Sequence, residues 1–128
     1  MNDERNSMEI QLETPEPHAI KSYTDSEITI QGISYRTSSI VSKETIQSDW
    51  PVHSISDLSE LTLTPLLTTH PEIIIIGHSE MKFVSPQIIN ILSQKRIGIE
   101  CMSIGSACRT FNVLLGEHRI VTLGIIMP

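Results

Sequence analysis

Residues 72–79 read Glu72-Ile73-Ile74-Ile75-Ile76-Gly77-His78-Ser79. Four consecutive isoleucines leave no polar face, the pattern of a strand covered on both sides. The stretch therefore predicts a central strand with a layer above it and another below. Downstream, Ser85-Pro86 supplies a capping hydroxyl and a first-turn proline for a helix that should bury Ile88, Ile89 and Leu92, with Lys95-Arg96 at its carbonyl end. A second buried strand is expected at Ile97 to Met102. Ser103 then caps a further helix whose apolar stripe is Ile104, Ala107, Cys108, Phe111 and Leu115, the 3-and-4 spacing of a buried face, and Gly116 ends it. Arg119 to Met127 reads as the last strand. The order from residue 72 is β-α-β-α-β, which calls for helices packed on a sheet.

Upstream the pattern changes. Ile28, Ile30, Ile33 and Tyr35 alternate around Gln31-Gly32, a hairpin signal, so the first half reads as antiparallel β. Trp50-Pro51 closes that region, because a residue before proline is pushed out of helical angles. Thr64-Pro65 reads as the cap and first turn of a short helix through Leu66 and Leu67. Residues 1–20 are read as a flexible acidic segment, with one short edge strand possible across Met8 to Thr14. The rest, residues 21–128, is read as a single α/β domain with a mixed central sheet.

Composition narrows the function. The 128 residues are 39% hydrophobic and 19% charged, the make-up of a globular domain with a packed core. Only 4% are aromatic, which disfavours base-stacking platforms. The net charge is −6, the wrong sign for a partner bound through phosphate counterion release, so no nucleic acid is expected. Asp3, Glu4, Glu9, Glu13 and Glu16 against Arg5 leave −4 of that in residues 1–20. No apolar run reaches the roughly 20 residues of a membrane-spanning helix. The N-terminus carries no secretory or mitochondrial leader pattern, so the expected location is cytoplasmic. Cys101 and Cys108 have neither a disulfide framework nor metal-knuckle spacing. His18, His53, His70, His78 and His118 form no metal motif, and no metal or cofactor is expected.

Candidate chemistry gathers in two places. Ligands favour the crevice beyond the carboxyl ends of parallel strands, which selects the loops Gly77-His78-Ser79 and Met102 to Ser106. The helix face beside the apolar stripe carries Gly105, Arg109, Asn112 and Gly116, two small residues flanking two polar ones, so something is expected to approach it closely. On a strand buried on both faces Glu100 would need a partner, and Arg109 is the candidate. Their pairing is read either as structural or as part of a polar ligand site. His78, Ser79 and Glu80 do not make a catalytic triad, since adjacent side chains on an extended loop diverge.

The segment from Glu72 to Val121 resembles a family of small domains without established biochemical activity. That family includes the mitochondrial respiratory complex I assembly factor 3 and the adipogenesis-associated domain protein. The resemblance rests on the apolar strand ending at Gly77, His78 and Ser79. It rests further on Glu100, Met102, Ala107, Arg109, Thr110, Phe111, Asn112, Leu114, Glu117 and Arg119. Ser79 stands where the family has glycine, Ser103 where threonine is usual and Phe111 where tyrosine is usual. The resemblance implies a compact layered α/β domain and, more loosely, an assembly role. The resulting expectation is a non-catalytic protein-binding domain, an assembly or accessory factor for a respiratory or other membrane-associated complex. Its contact residues are Gly77, His78, Ser79, Glu100, Arg109 and Asn112. The alternative expectation is a small anionic-ligand domain or enzyme using a crevice lined by Glu100, Arg109 and Asn112.

Overall fold

The structure is a computed structural model that describes residues 16–128. The expected edge strand across Met8 to Thr14 lies outside the described residues. Among the described residues eight strands form two sheets. The small sheet is β1 (Ser22–Tyr23), β2 (Ile28–Ile30) and β3 (Ile33–Tyr35), all antiparallel. Its tight hairpin pairs Ile30 with Ile33 across Gln31 and Gly32, whose φ values of 52° and 81° are both left-handed. That is the type I′ geometry matching strand twist. The large sheet holds β4 (Ser39–Ser42), β5 (Ile46–Gln47), β6 (Ile73–Gly77), β7 (Gly98–Met102) and β8 (Val121–Ile125) in the order β5-β4-β8-β6-β7. The pairs of β6 with β7 and with β8 are parallel, and β4 runs antiparallel to β5 and β8, so the central sheet is mixed as expected.

The isoleucine run serves both faces. Ile74 and Ile76 belong to a cluster with Trp50, Leu63, Leu66, Ile88 and Leu92, while Ile75 belongs to the opposite one with Cys108, Phe111 and Leu123. Each such side chain, fully buried, contributes about 1.5–3 kcal/mol relative to exposure. Helices α1 (Glu60–Leu67) and α2 (Pro86–Gln94) bury their apolar residues in the first cluster, and α3 (Ile104–Gly116) in the second, beneath the small sheet. Right-handed crossovers explain the split: the path moves outward from β6 to β7 and then back past β6 to β8, which sends the two connecting helices to opposite faces.

Three expectations are corrected. The Ile97 to Met102 strand is not buried on both faces; β7 is an edge strand, and Glu100 is exposed. Thr64-Pro65 does not open α1. A capping box between Ser59 and Thr62 starts that helix, and Pro65 lies inside it. The exposed Leu61 marks the solvent side of α1, where a carbonyl deprived of the missing Pro65 N–H faces water. Ile89 is 46% exposed, because only the Ile88 and Leu92 side of α2 meets the sheet. Gly116 is the last residue of α3, as expected, and the chain then reverses at His118 with φ 62°.

Candidate functional site

The loop after β6 turns toward α2 and the loop after β7 toward α3, so the two neighbouring strands release their chains to opposite faces. This is the switch point at which open α/β sheets carry crevices. A concavity of about 680 Å³ lies there, lined among others by His78, Met81, Phe83, Ile89, Cys101 and Ser103. Gly77, the last residue of β6 just before His78, faces α3 on the other side of the sheet. A Cβ at that position would stand 2.8 Å from Ala107 Cβ and from Ile125 Cδ1, so glycine lets the first turn of α3 seat against the strand end. His78 is buried; its N–H donates to the Met102 carbonyl at 3.0 Å, and its Nδ1 accepts the Glu80 N–H at 3.2 Å. Ser79 is exposed at the rim.

Glu80 anchors the far wall. Its carboxylate accepts from the Ile55 N–H at 2.6 Å and from the Ser54 hydroxyl at 2.9 Å, with Lys82 Nζ at 3.4 Å. The Ile55 backbone bond, aided by Ser54 and Lys82, holds this carboxyl below its usual range despite an opposing contribution from burial. Beyond the anchor the loop turns its apolar side chains outward, with Met81 100% and Phe83 94% exposed. Cys101 is half-buried, and burial, with a smaller contribution from the Glu100 carboxylate, pushes its thiol up to about 11. The lining of the crevice is therefore mainly apolar in exposed surface, and its thiol is held neutral at ordinary pH.

The structure does not bring Glu100, Arg109 and Asn112 together. Glu100 stands exposed on the edge strand. The Arg109 guanidinium donates to the Tyr23 hydroxyl and, at 3.2 Å, to Ser106 Oγ, and it lies 5.8 Å from the Tyr23 ring centre. Among the described residues it makes no ion pair with Glu100. Asn112 reads a backbone: its Oδ1 accepts the Ile20 N–H at 2.8 Å and its Nδ2 donates to the Ile20 carbonyl at 3.0 Å. The close approach expected on this helix face is made by the chain itself. Gly105 admits the Tyr23 ring, whose Cε1 would be 2.8 Å from a Cβ there.

Sequence reasoning missed Met81, Phe83 and Ile89 as the apolar rim of the crevice; the signal was an apolar pair straddling Lys82 in a segment with no helical or strand period. It also missed a second concavity of about 790 Å³ at the opposite end of the sheet, where the β4–β5 hairpin meets the ends of α1 and α3. Lys43, His70, His118 and Arg119 are among its lining residues. Arg119 there is engaged by Glu72 at 2.5 Å. Among the described residues no group of three His, Cys, Asp or Glu side chains is placed to hold a metal, and no helix is long and apolar enough to cross a membrane.

Residues 20–126 match the model of a family described as protein of unknown function (DUF498/DUF598). The chain is 33% identical over 82 residues to the NADH dehydrogenase [ubiquinone] 1 alpha subcomplex assembly factor 3 of Xenopus tropicalis, covering 62% of this chain and 45% of that protein. It is 34% identical over 76 residues to the 13 kDa major membrane protein of Francisella tularensis subsp. holarctica (strain LVS), covering 59% of this chain and 62% of that one. Among solved structures, a Xanthomonas campestris protein determined by NMR superposes with a TM-score of 0.78 at 26% identity, over 85% of this chain and 83% of its own. The match thus spans about half of the Xenopus protein and less than two thirds of the Francisella one.

Proposed function

The chain belongs to the family of unknown function DUF498/DUF598, and from that premise we propose that it is a non-catalytic protein-binding domain serving assembly of a multisubunit complex. The contact region is the crevice at the carboxyl ends of β6 and β7, with His78 and Ser79 at its base and rim and Met81 and Phe83 as its anchors. Gly77 seats α3 against the strand end behind the crevice, Glu100 lies on the adjoining edge, and Arg109 and Asn112 hold the small sheet on α3. The observation that carries this reading is the exposure of Met81 and Phe83 beside an apolar concavity, since hydrophobic anchors next to a pocket mark interaction surfaces. The names of the assembly-factor relatives support the same role. The cytoplasmic assignment draws on the two free thiols.

The test is capture of the tagged protein from its own cells with mass spectrometry of what is retained, beside the variant Phe83→Ser. Phe83 is almost fully exposed, so the variant should keep its fold. A protein retained by the parent and lost from Phe83→Ser supports the reading. A protein retained equally by both moves the contact elsewhere, and a purified chain that carries a small molecule instead favours a ligand-binding domain.

A further inference from the structure

The free edge of the large sheet continues the crevice. Strand β7 is five residues long and, among the described residues, pairs only with β6, whereas the other edge, β5, has two residues. The Gly98 N–H donates to the Glu72 carbonyl and the Met102 carbonyl accepts from the His78 N–H, so Gly98, Glu100 and Met102 direct their backbone groups toward β6. Backbone groups alternate in direction along a strand. Ile99 and Cys101 therefore aim their N–H and C=O groups outward, with no strand on that side among the described residues.

A groove runs along the same edge. The 680 Å³ crevice and a smaller concavity of about 370 Å³ share Ile89 of α2 and Ile99 of β7, and the second extends past Ser93 to Arg96. A helix flank beside an open strand edge is the arrangement that accepts an added strand. Charge selects the occupant. The Ile99 and Cys101 side chains face the groove with Ile89 and Phe83, Glu100 projects from the other face, and exposed Arg96 stands at the far end. A second copy fits poorly, because antiparallel pairing of β7 with itself about its midpoint sets Glu100 against Glu100, a like-charge pair.

We propose that β7 receives an extended segment of a partner protein as a sixth strand, with apolar residues opposite Ile99 and Cys101, a basic residue opposite Glu100 and an acidic residue reaching Arg96. This rests on the protein-binding reading and names the form of the partner.

The probe is a blocked peptide, Leu-Thr-Val-Lys-Val-Thr-Glu, which in antiparallel register sets its valines opposite Cys101 and Ile99 and its glutamate near Arg96. Amide hydrogen exchange of the full chain is followed by NMR. At about 1 mM peptide the Ile99 and Cys101 amides should slow by about tenfold, the factor for a Kd near 0.1 mM. The Glu100 amide, already in the β6 ladder, should hold its rate. Arg96→Glu should weaken the peptide by about tenfold, and replacing the peptide's glutamate with lysine should restore it. The proposal is overturned if Ile99 and Cys101 exchange at the free rate, or if the charge exchange changes nothing. It is also overturned if the chain alone protects these amides as its concentration rises, which would make a second copy the occupant. A cellular partner lost from Phe83→Ser whose complex leaves both amides unprotected would overturn strand addition while the binding-domain reading stands.

Discussion

At the scale of single residues, the two cysteines show what spacing conveys and what it omits. Cys108 falls on the 3-and-4 stripe of α3, and it is fully buried, with burial pushing its thiol up to about 12 against a small lowering by Arg109. Helical periodicity made that legible. The partner of Arg109 was not legible, because it depends on which strand neighbours which: with β7 at the edge Glu100 meets water, and the guanidinium turns to Tyr23, 86 positions away. The raised thiols carry a consequence for reactivity. At pH 8 a thiol at about 11 holds about 100-fold less thiolate than one at the ordinary 9.0, so Cys101 should alkylate with iodoacetamide about that much more slowly than in denaturant. Cys108 should stay unmodified until the protein opens. Both folded values lie above the unfolded one, so the neutral-thiol contribution to stability is complete below pH 9 and is lost as pH rises from 9 toward 12. Peptide mapping after timed alkylation checks the order, and Cys108 labelling as fast as Cys101 in the native protein would contradict its place in the core.

At the scale of elements, helix bounds were easier to read than the turns that follow them. Ser85 and Ser103 cap α2 and α3 through the Ile88 and Ser106 amides, as a hydroxyl before an apolar stripe predicts. The Ser59 start of α1 was overlooked because its box closes on a threonine, Thr62, in place of the usual glutamate or glutamine. The ends of α2 at Lys95-Arg96 and of α3 at Gly116 were legible, but the reversals beyond them were not, because they are made by residues other than glycine. Arg96 and His118 adopt φ of 59° and 62° after α2 and α3. Around His118 the N–H of Arg119 reaches the Leu114 carbonyl and that of His118 reaches Leu115, the paired bonds of a Schellman end. A left-handed histidine pays a steric cost that glycine avoids, partly offset by the greater unfolded-state freedom of glycine. His118→Gly should therefore stabilise the chain by about 0.5–1 kcal/mol, a rise of about 3 °C in Tm. Thermal unfolding measures it, and an unchanged or lowered Tm would mean that the His118 ring makes a compensating contact in the second concavity.

At the scale of the molecule, the order of elements from residue 72 was readable, while the assignment of strands to centre and edge was not. A strand such as β7, with the alternation Ile99-Glu100-Cys101, has the same period whether one neighbour or two flank it. Nor did the sequence disclose that the first hairpins form a separate layer on α3, since the contacts joining them span more than 80 positions. That layer is fastened at its entry by the two Asn112 bonds to Ile20, ahead of the apolar contacts of Ile28 and Ile30 with the α3 cluster. Asn112→Ala leaves the Ile20 N–H and C=O without these partners and should cost about 1–3 kcal/mol. Because the small sheet shares no strand with the large one, the loss should appear as local opening. Native-state hydrogen exchange should show faster exchange at Lys21 and Ile30, which sit in or beside the small sheet, while Ile75 in β6 keeps its exchange free energy relative to global unfolding. If Lys21 and Ile75 lose protection by the same amount at every denaturant concentration, the two layers unfold as one unit, and Asn112 acts on the whole core instead of fastening a separable cover.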